Sequence, residues 1–351
     1  MKKYLDDLES RIDEAGESDL LAQWINFTDG GIPSGIFRPK RNYAAPAKIG
    51  WPFISCNDAI ADADRMIVAQ LSAVSDVIAT GHGALPNVRA NYGTGIMSSL
   101  FGAELFIMDD AHNTLPTTIP HPDGADAVKR LLDAGIPDFK TGLGGKTLEM
   151  GARFAEAFAP YPKISKWVSI YHPDLQGPVD IAELVWGSSL FYEFYDRPEL
   201  VHSFLALITE TYAGFLREWL RLAPHAPAIP PGYAPHWGIL HKGAIMLRDD
   251  SAMNLSGETF DEFARPYDRL LLDEFGGGAI HFCGHGDHFI APMCSMRGMF
   301  GINLSQPHLN DMEKIYRNTV DKKIPLLGFD RQWTERALAE GRDLKGRVQV
   351  W

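Results

Sequence analysis

Cysteine is scarce: the 351 residues contain three, Cys56, Cys283 and Cys294. So few, and an odd number, exclude a disulfide framework. Runs of Lys and Arg are also missing, and 33 basic against 45 acidic side chains leave a formal charge of −12. Nucleic acid and anionic membranes both require a basic footprint, so neither is expected as a partner. No stretch of eighteen apolar residues occurs, which argues against a membrane-spanning helix. The opening Met1-Lys2-Lys3-Tyr4-Leu5-Asp6-Asp7 turns acidic where a secretory leader would be apolar, and the reading is cytoplasmic. There is no Gly-x-Ser-x-Gly elbow, no His-Glu-x-x-His and no Cys-x-x-Cys. Asn91-Tyr92-Gly93-Thr94-Gly95 lacks both the third glycine of a dinucleotide fingerprint and the lysine of a P-loop, which sets nucleotide binding aside.

What is present is core material. Hydrophobic residues make up 45% of the chain, with 19 Phe, 11 Tyr and 8 Trp, enough to exclude disorder as a whole-chain description. An acidic, soluble composition of this kind points to a small-molecule substrate or a protein partner. Residues 1–80 read as a helical cap or arm. Within them Ile60, Met66, Ile67, Leu71, Val74 and Val77 fall near a 3.6-residue period, predicting one amphipathic helix over 57–80.

From about residue 85 the texture changes to short apolar runs alternating with helical periods. Strands are expected near 87–91, 105–108, 166–171, 244–248, 278–283, 301–305 and 324–328. Helices are expected around 125–134, 145–158, 178–190, 197–222, 256–275, 286–297 and 310–320. Such alternation predicts a parallel sheet, because parallel neighbours need crossovers and helices supply them. Residues 81–351 are close to the size of an eight-unit barrel, so the expected fold is α/β, a TIM (β/α)8 barrel with an N-terminal helical extension. Asp196-Arg197-Pro198-Glu199 predicts a capped helix start ahead of Leu200, Val201, Phe204, Ile208, Phe215 and Trp219. Ser256 is expected to cap another helix, with Phe260, Phe263, Leu270 and Leu271 facing inward.

The strongest local chemical signal is Gly278-Ala279-Ile280-His281-Phe282-Cys283-Gly284-His285. Strand alternation puts His281 and Cys283 on one face, and imidazole nitrogen and thiolate sulfur are good zinc ligands. The same pattern also describes a buried cysteine packed beside a hydrogen-bonded histidine. A third ligand could come from Asp250, His285, Asp287, His288 or Cys294. In Arg248-Asp249-Asp250 one acid should face the barrel axis and the other its wall; Asp250 is taken as the inward one, a candidate ligand or general acid/base. The alternative is a helix cap or a wall salt bridge with Arg248. Other expected strand ends carry Arg89, Asn91, Tyr171, His172, Gln306 and His308, and polar groups converging from several strand ends are how barrels build a site.

Taken together, Gln176-Gly177-Pro178-Val179-Asp180, Asp196-Arg197-Pro198-Glu199-Leu200-Val201, Asp249-Asp250 with Phe263-Ala264-Arg265-Pro266-Tyr267, Ile280-His281-Phe282-Cys283-Gly284 and Asn303-Leu304-Ser305-Gln306-Pro307 follow the order seen in the uroporphyrinogen decarboxylase superfamily, which this sequence resembles over roughly 85–330. The resemblance implies a TIM barrel with its site at the carboxyl ends of the strands. True uroporphyrinogen decarboxylases carry an Arg-Gln-Ala-Gly-Arg-like motif near the N-terminus, and nothing like it stands here. The corrinoid-dependent methyltransferase branch keeps His-x-Cys and a later cysteine as zinc ligands. His281 and Cys283 match the first two, and no cysteine follows Cys294. The resemblance thus implies a zinc-dependent methyltransferase working with a corrinoid carried by a partner protein. His281 and Cys283 would hold the metal, Asp250, His285 and His172 would be catalytic, and Arg89, Asn91, Tyr171, Gln306 and His308 would shape the substrate pocket. A decarboxylase, or a non-catalytic member binding a small ligand, are the competing expectations.

Overall fold

The computed structural model describes residues 1–351. Strands appear in chain order as β1 (Asn87–Val88), β2 (Glu104–Phe106), β3 (Thr117–Ile119), β4 (Ser169–Ile170), β5 (Tyr233–His236) and β6 (Ile239–Lys242). They continue as β7 (Ile245–Arg248), β8 (Gly278–Phe282), β9 (Met299–Leu304), β10 (Leu326–Phe329) and β11 (Val348–Val350). The last five form one parallel sheet in the order β11-β10-β9-β8-β7. Ile245, Met246 and Leu247, then Ala279, Ile280 and Phe282, then Ile302 and Leu304 are all buried, as strands covered on both faces require. The strand-helix alternation read from the sequence therefore yields a mixed α/β fold with a parallel sheet.

Two further parallel contacts lie outside that sheet. β1 pairs with β4, and the backbone at Phe37 bridges β11, its N–H donating to Val348 O (2.8 Å) and its carbonyl accepting from Val350 N (3.0 Å). β4 and β7 meet through a side chain: His172 Nε2 accepts the Met246 N–H at 2.9 Å. One turn on, Gly177 N donates to Arg248 O at 2.7 Å. A Cβ on Gly177 would meet Asp249 Oδ1 at 2.3 Å, so only glycine fits this seam.

Several sequence expectations change in three dimensions. The run at 105–108 does not enter the parallel sheet: β2 pairs antiparallel with β3, since the ten residues between them are too few for a parallel crossover. The helix expected over 57–80 is two, Cys56–Ala61 and Ala63–Thr80, broken where Asp62 turns extended and accepts the Arg65 N–H. Asp196 does not cap its helix; Pro198–Leu222 starts after Arg197 without a side-chain cap, while Val201, Phe204, Ile208, Phe215 and Trp219 are buried as expected. Ser256 does cap, accepting from Thr259 N. A wide π turn over Phe260–Ala264, ahead of Pro266, shifts the phase of the following helix. Leu270 consequently faces solvent while Leu271 and Leu272 are buried. The helix expected over 286–297 shrinks to Ile290–Met293, because the loop before it is clamped by contacts described below.

The hairpin of β5 and β6 was not legible in the sequence. Its two-residue tip, Trp237-Gly238, has both residues at positive φ (50° and 79°), the geometry that suits a tight hairpin and that a tryptophan adopts at a cost. Ala234, His236, Leu240 and His241 are fully buried, so the hairpin lies within the core and carries Trp237 to the site. The helices of the first 80 residues share that core: Leu5, Trp24, Phe27, Met66 and Leu71 belong to one hydrophobic cluster with the strands.

Candidate metal centre

Strand register assembles the centre. Arg248 on β7 lies opposite His281 on β8, which lies opposite Asn303 on β9. In-register neighbours of a parallel sheet point to the same side, so three polar side chains form one row. Asn303 Nδ2 donates to Leu327 O (2.6 Å), and its Oδ1 therefore faces His281 Nδ1 at 2.6 Å. Nδ1 must carry the proton, which leaves the Nε2 lone pair free. A carbonyl fixing the distal nitrogen is the usual support of a metal-binding histidine.

That Nε2 lies 3.4 Å from Cys283 Sγ and 3.4 Å from Asp250 Oδ1. The ligand atoms of all three residues fall within 4.8 Å of one another. Ligand atoms around a tetrahedral zinc with ordinary bond lengths lie roughly 3.4–3.6 Å apart, and the imidazole nitrogen stands at that spacing from both the sulfur and the carboxylate oxygen. One imidazole, one thiolate and one carboxylate leave a fourth position for a substrate atom. Asp250 is held by the Cys283 N–H, which donates to Oδ1 at 2.8 Å. Burial, and then the Asp250 charge, push the Cys283 thiol up to about 11, so a metal must displace its proton.

Asp249 points the other way. It is buried in the wall beside Asp268 and near Asp180, and burial, then these neighbouring acids, raise all three well above the ordinary carboxylate range. Asp249 and Asp268 each leave Oδ2 buried without a partner, and two buried carboxyls this close favour the neutral form over a pair of charges. Arg248 does not pair with Asp249. Its Nε sits 2.9 Å from Asp174 Oδ1, and its guanidinium lies 4.9 Å over the Trp237 ring. Trp237 in turn packs edge-on against His281, ring centres 5.3 Å apart. Arg89 takes the other Asp174 oxygen at 3.3 Å. Burial alone would raise Asp174, but Arg248, Arg89 and Gln176 outweigh it and hold the carboxyl below its usual range.

The remaining sequence candidates fall in distinct places. His172 is fully buried with both nitrogens spent on backbone, Nδ1 on Pro173 O and Nε2 on Met246 N; it seals the β4–β7 seam and has no nitrogen left for proton transfer. Tyr171 is buried against His236. Asn91 Oδ1 is shielded and unpartnered. Gln306 Oε1 accepts the Gly284 N–H at 2.6 Å and so shapes the loop after Cys283. His308 is exposed in the short Pro307–Leu309 turn. His285 joins Asp287 and His288 rather than the first group, and Cys294 is buried, its thiol pushed up to about 12 by burial. Asn303, Trp237 and the Arg248–Asp174 pair were not singled out as site residues. Asn303 was legible only as part of a motif, and Trp237 had no signal beyond Trp-Gly between apolar runs.

No helix is long and apolar enough to cross a membrane. No protein-family model and no curated protein sequence matches this chain. Among solved structures it is similar to a methyltransferase from Methanosarcina mazei, with 17% sequence identity, a TM-score of 0.56, and coverage of 85% of this chain and 79% of that chain. At that identity the likeness is one of fold.

Proposed function

We propose that this protein is a methyltransferase that uses a zinc ion held by His281, Cys283 and Asp250 to move a methyl group between a small substrate and a corrinoid carried by a partner protein. The observation that carries this reading is the convergence of three different donor atoms within 4.8 Å of one another, with the histidine tautomer already set by Asn303. The fold supports it. Eight parallel strand positions follow in chain order, the Phe37 segment, β1, β4 and β7 to β11, which we read as a closed (β/α)8 barrel. In such a barrel the carboxyl end of β8 is where chemistry belongs.

When bound, zinc would supply Lewis acidity, holding a thiol acceptor as thiolate or polarising the heteroatom that loses the methyl group. The chain's own groups do the rest. Asn303 fixes the His281 ring, and the Cys283 thiol gives up its proton on metal uptake, so zinc affinity falls as pH falls. Asp250, partly exposed beside the cysteine, completes the donor set in place of the later cysteine. Arg89 and Arg248 share the single carboxylate of Asp174, leaving one net positive charge suited to an anionic substrate group. Methyl transfer itself then requires alignment of donor and acceptor more than acid-base help.

Zinc-loaded protein mixed with methylcobalamin and a small alkylthiol is expected to demethylate the cobalt and form the methyl thioether. If no alkylthiol is methylated and no methylated thiol or amine methylates reduced cobalamin, the reading fails. Release of carbon dioxide from a carboxylated pyrrole would favour the decarboxylase instead. Asn303→Ala leaves all three donor residues in place but frees the His281 ring, and is expected to weaken zinc binding about ten- to hundredfold. Chelator competition measures this, with the unfolding midpoint as control.

A further inference from the structure

The loop that follows Cys283 gathers a second donor set. His285 Nε2 lies 3.3 Å from Asp287 Oδ2, the rings of His285 and His288 are 4.7 Å apart, and ligand atoms drawn one from each of the three residues lie within 4.8 Å of one another. His288 Nε2 donates to Leu255 O at 2.7 Å. The other nitrogen, Nδ1, therefore keeps its lone pair, and it is shielded from solvent with no partner in the protein. A buried acceptor left without a donor is unfavourable, and a cation would remove that cost.

The loop is built to hold this arrangement. Gly284 N donates to Gln306 and Gly286 N donates to Asn310 Oδ1 at 2.7 Å, while Asn310 Nδ2 returns to Gly284 O at 2.9 Å. Asp287 accepts the Asp311 N–H at 2.8 Å and faces Lys314 Nζ at 3.3 Å. These contacts orient the carboxylate as outer partners do around metal ligands. His285 is half exposed, so the remaining coordination positions open to solvent.

We propose that His285, Asp287 and His288 bind a divalent first-row transition metal, a two-histidine, one-carboxylate site separate from the sulfur-containing centre. Its nitrogen and oxygen donors suit Zn²⁺, Co²⁺ or Ni²⁺ rather than Ca²⁺ or Mg²⁺. The site stands whether or not Cys283 holds zinc.

Cobalt separates the two centres, because only a thiolate ligand gives a near-ultraviolet sulfur-to-cobalt charge-transfer band. Metal-free full-length protein titrated with Co²⁺ is expected to take up one equivalent without that band. This equivalent is retained in Cys283→Ser and lost in His285→Ala and in Asp287→Asn. His285 is half exposed, and the Asp287→Asn side chain can still accept from Asp311 N; circular dichroism checks that both variants keep the fold. If the wild type binds no cobalt beyond the thiolate-bearing equivalent, or if both variants keep the thiolate-free one, the site does not exist. Loss of the charge-transfer band in Cys283→Ser bears only on the first centre, so the two proposals fail separately.

Discussion

Cys283→Ser protein is expected to purify with about one equivalent of zinc less than the wild type and to lose methyl transfer by about a thousandfold, the several kcal/mol that a Lewis-acidic metal contributes. The substitution changes one atom and barely changes volume, so packing around β8 is preserved. What is lost is a sulfur that can become an anion: the thiol, though pushed up to about 11, can still yield its proton to a metal, whereas a serine hydroxyl does so far less readily. Cys56→Ser is the matched control. Cys56 sits at the start of the Cys56–Ala61 helix, bonded to Asn113 and not grouped with the donor residues, and its replacement is expected to leave metal content and rate unchanged. Elemental analysis after zinc-replete expression reads the first effect, and the methylcobalamin assay reads the second. Full zinc content in Cys283→Ser would remove the cysteine from the centre.

Glu17→Ala is expected to destabilise the whole protein by about 3–5 kcal/mol, the usual result of leaving a buried charge without its partner. Glu17 and Arg41 are 1% and 0% exposed at their side chains, with Arg41 Nε on Glu17 Oε1 at 2.7 Å and Nη2 on Oε2 at 2.9 Å. The Tyr43 hydroxyl donates to the same carboxylate at 2.6 Å. Arg41 also reaches the carbonyls of His82 and Ala84, and so ties the Glu14–Thr28 helix to the segment that enters β1. The double variant Glu17→Leu/Arg41→Met removes both charges and is expected to lose less than the single one, since an apolar pair can replace a buried ion pair. Urea unfolding checks both. A single-variant loss below about 1 kcal/mol, the value of an exposed pair, would show that the pair is hydrated in solution.

The two variants probe parts of the molecule that differ in how openly the sequence announced them. The His-x-Cys of β8 is a local pattern, and period-two alternation places its side chains on one face without knowledge of the rest of the chain. Asp250 needed a choice between adjacent acids, and only the tertiary structure puts Asp249 in the wall near Asp268 and Asp250 beside His281. Glu17 and Arg41 are 24 residues apart with no shared motif, so nothing local foretold their pairing. The β5–β6 hairpin likewise depends on burial within the core, which overrides the weak propensity of Tyr-Ala-Pro-His to extend. Leu270 illustrates the reverse: a helix whose stripe was correct in its first turn slipped phase at a π turn that periodicity cannot see.

By itself the sequence determined the alternation of apolar runs and helical segments, the parallel character of the main sheet, and the identity of the sulfur and imidazole at the end of β8, because each follows from spacing within a few residues. Only the tertiary structure decided which atoms meet. Register across β7, β8 and β9 aligned Arg248, His281 and Asn303 in one row, brought Asp250 rather than His285 to the sulfur, and spent both nitrogens of His172 on a seam. Such meetings depend on the relative placement of segments tens of residues apart, and that placement is fixed by the packing of the whole core rather than by the preferences of any one segment.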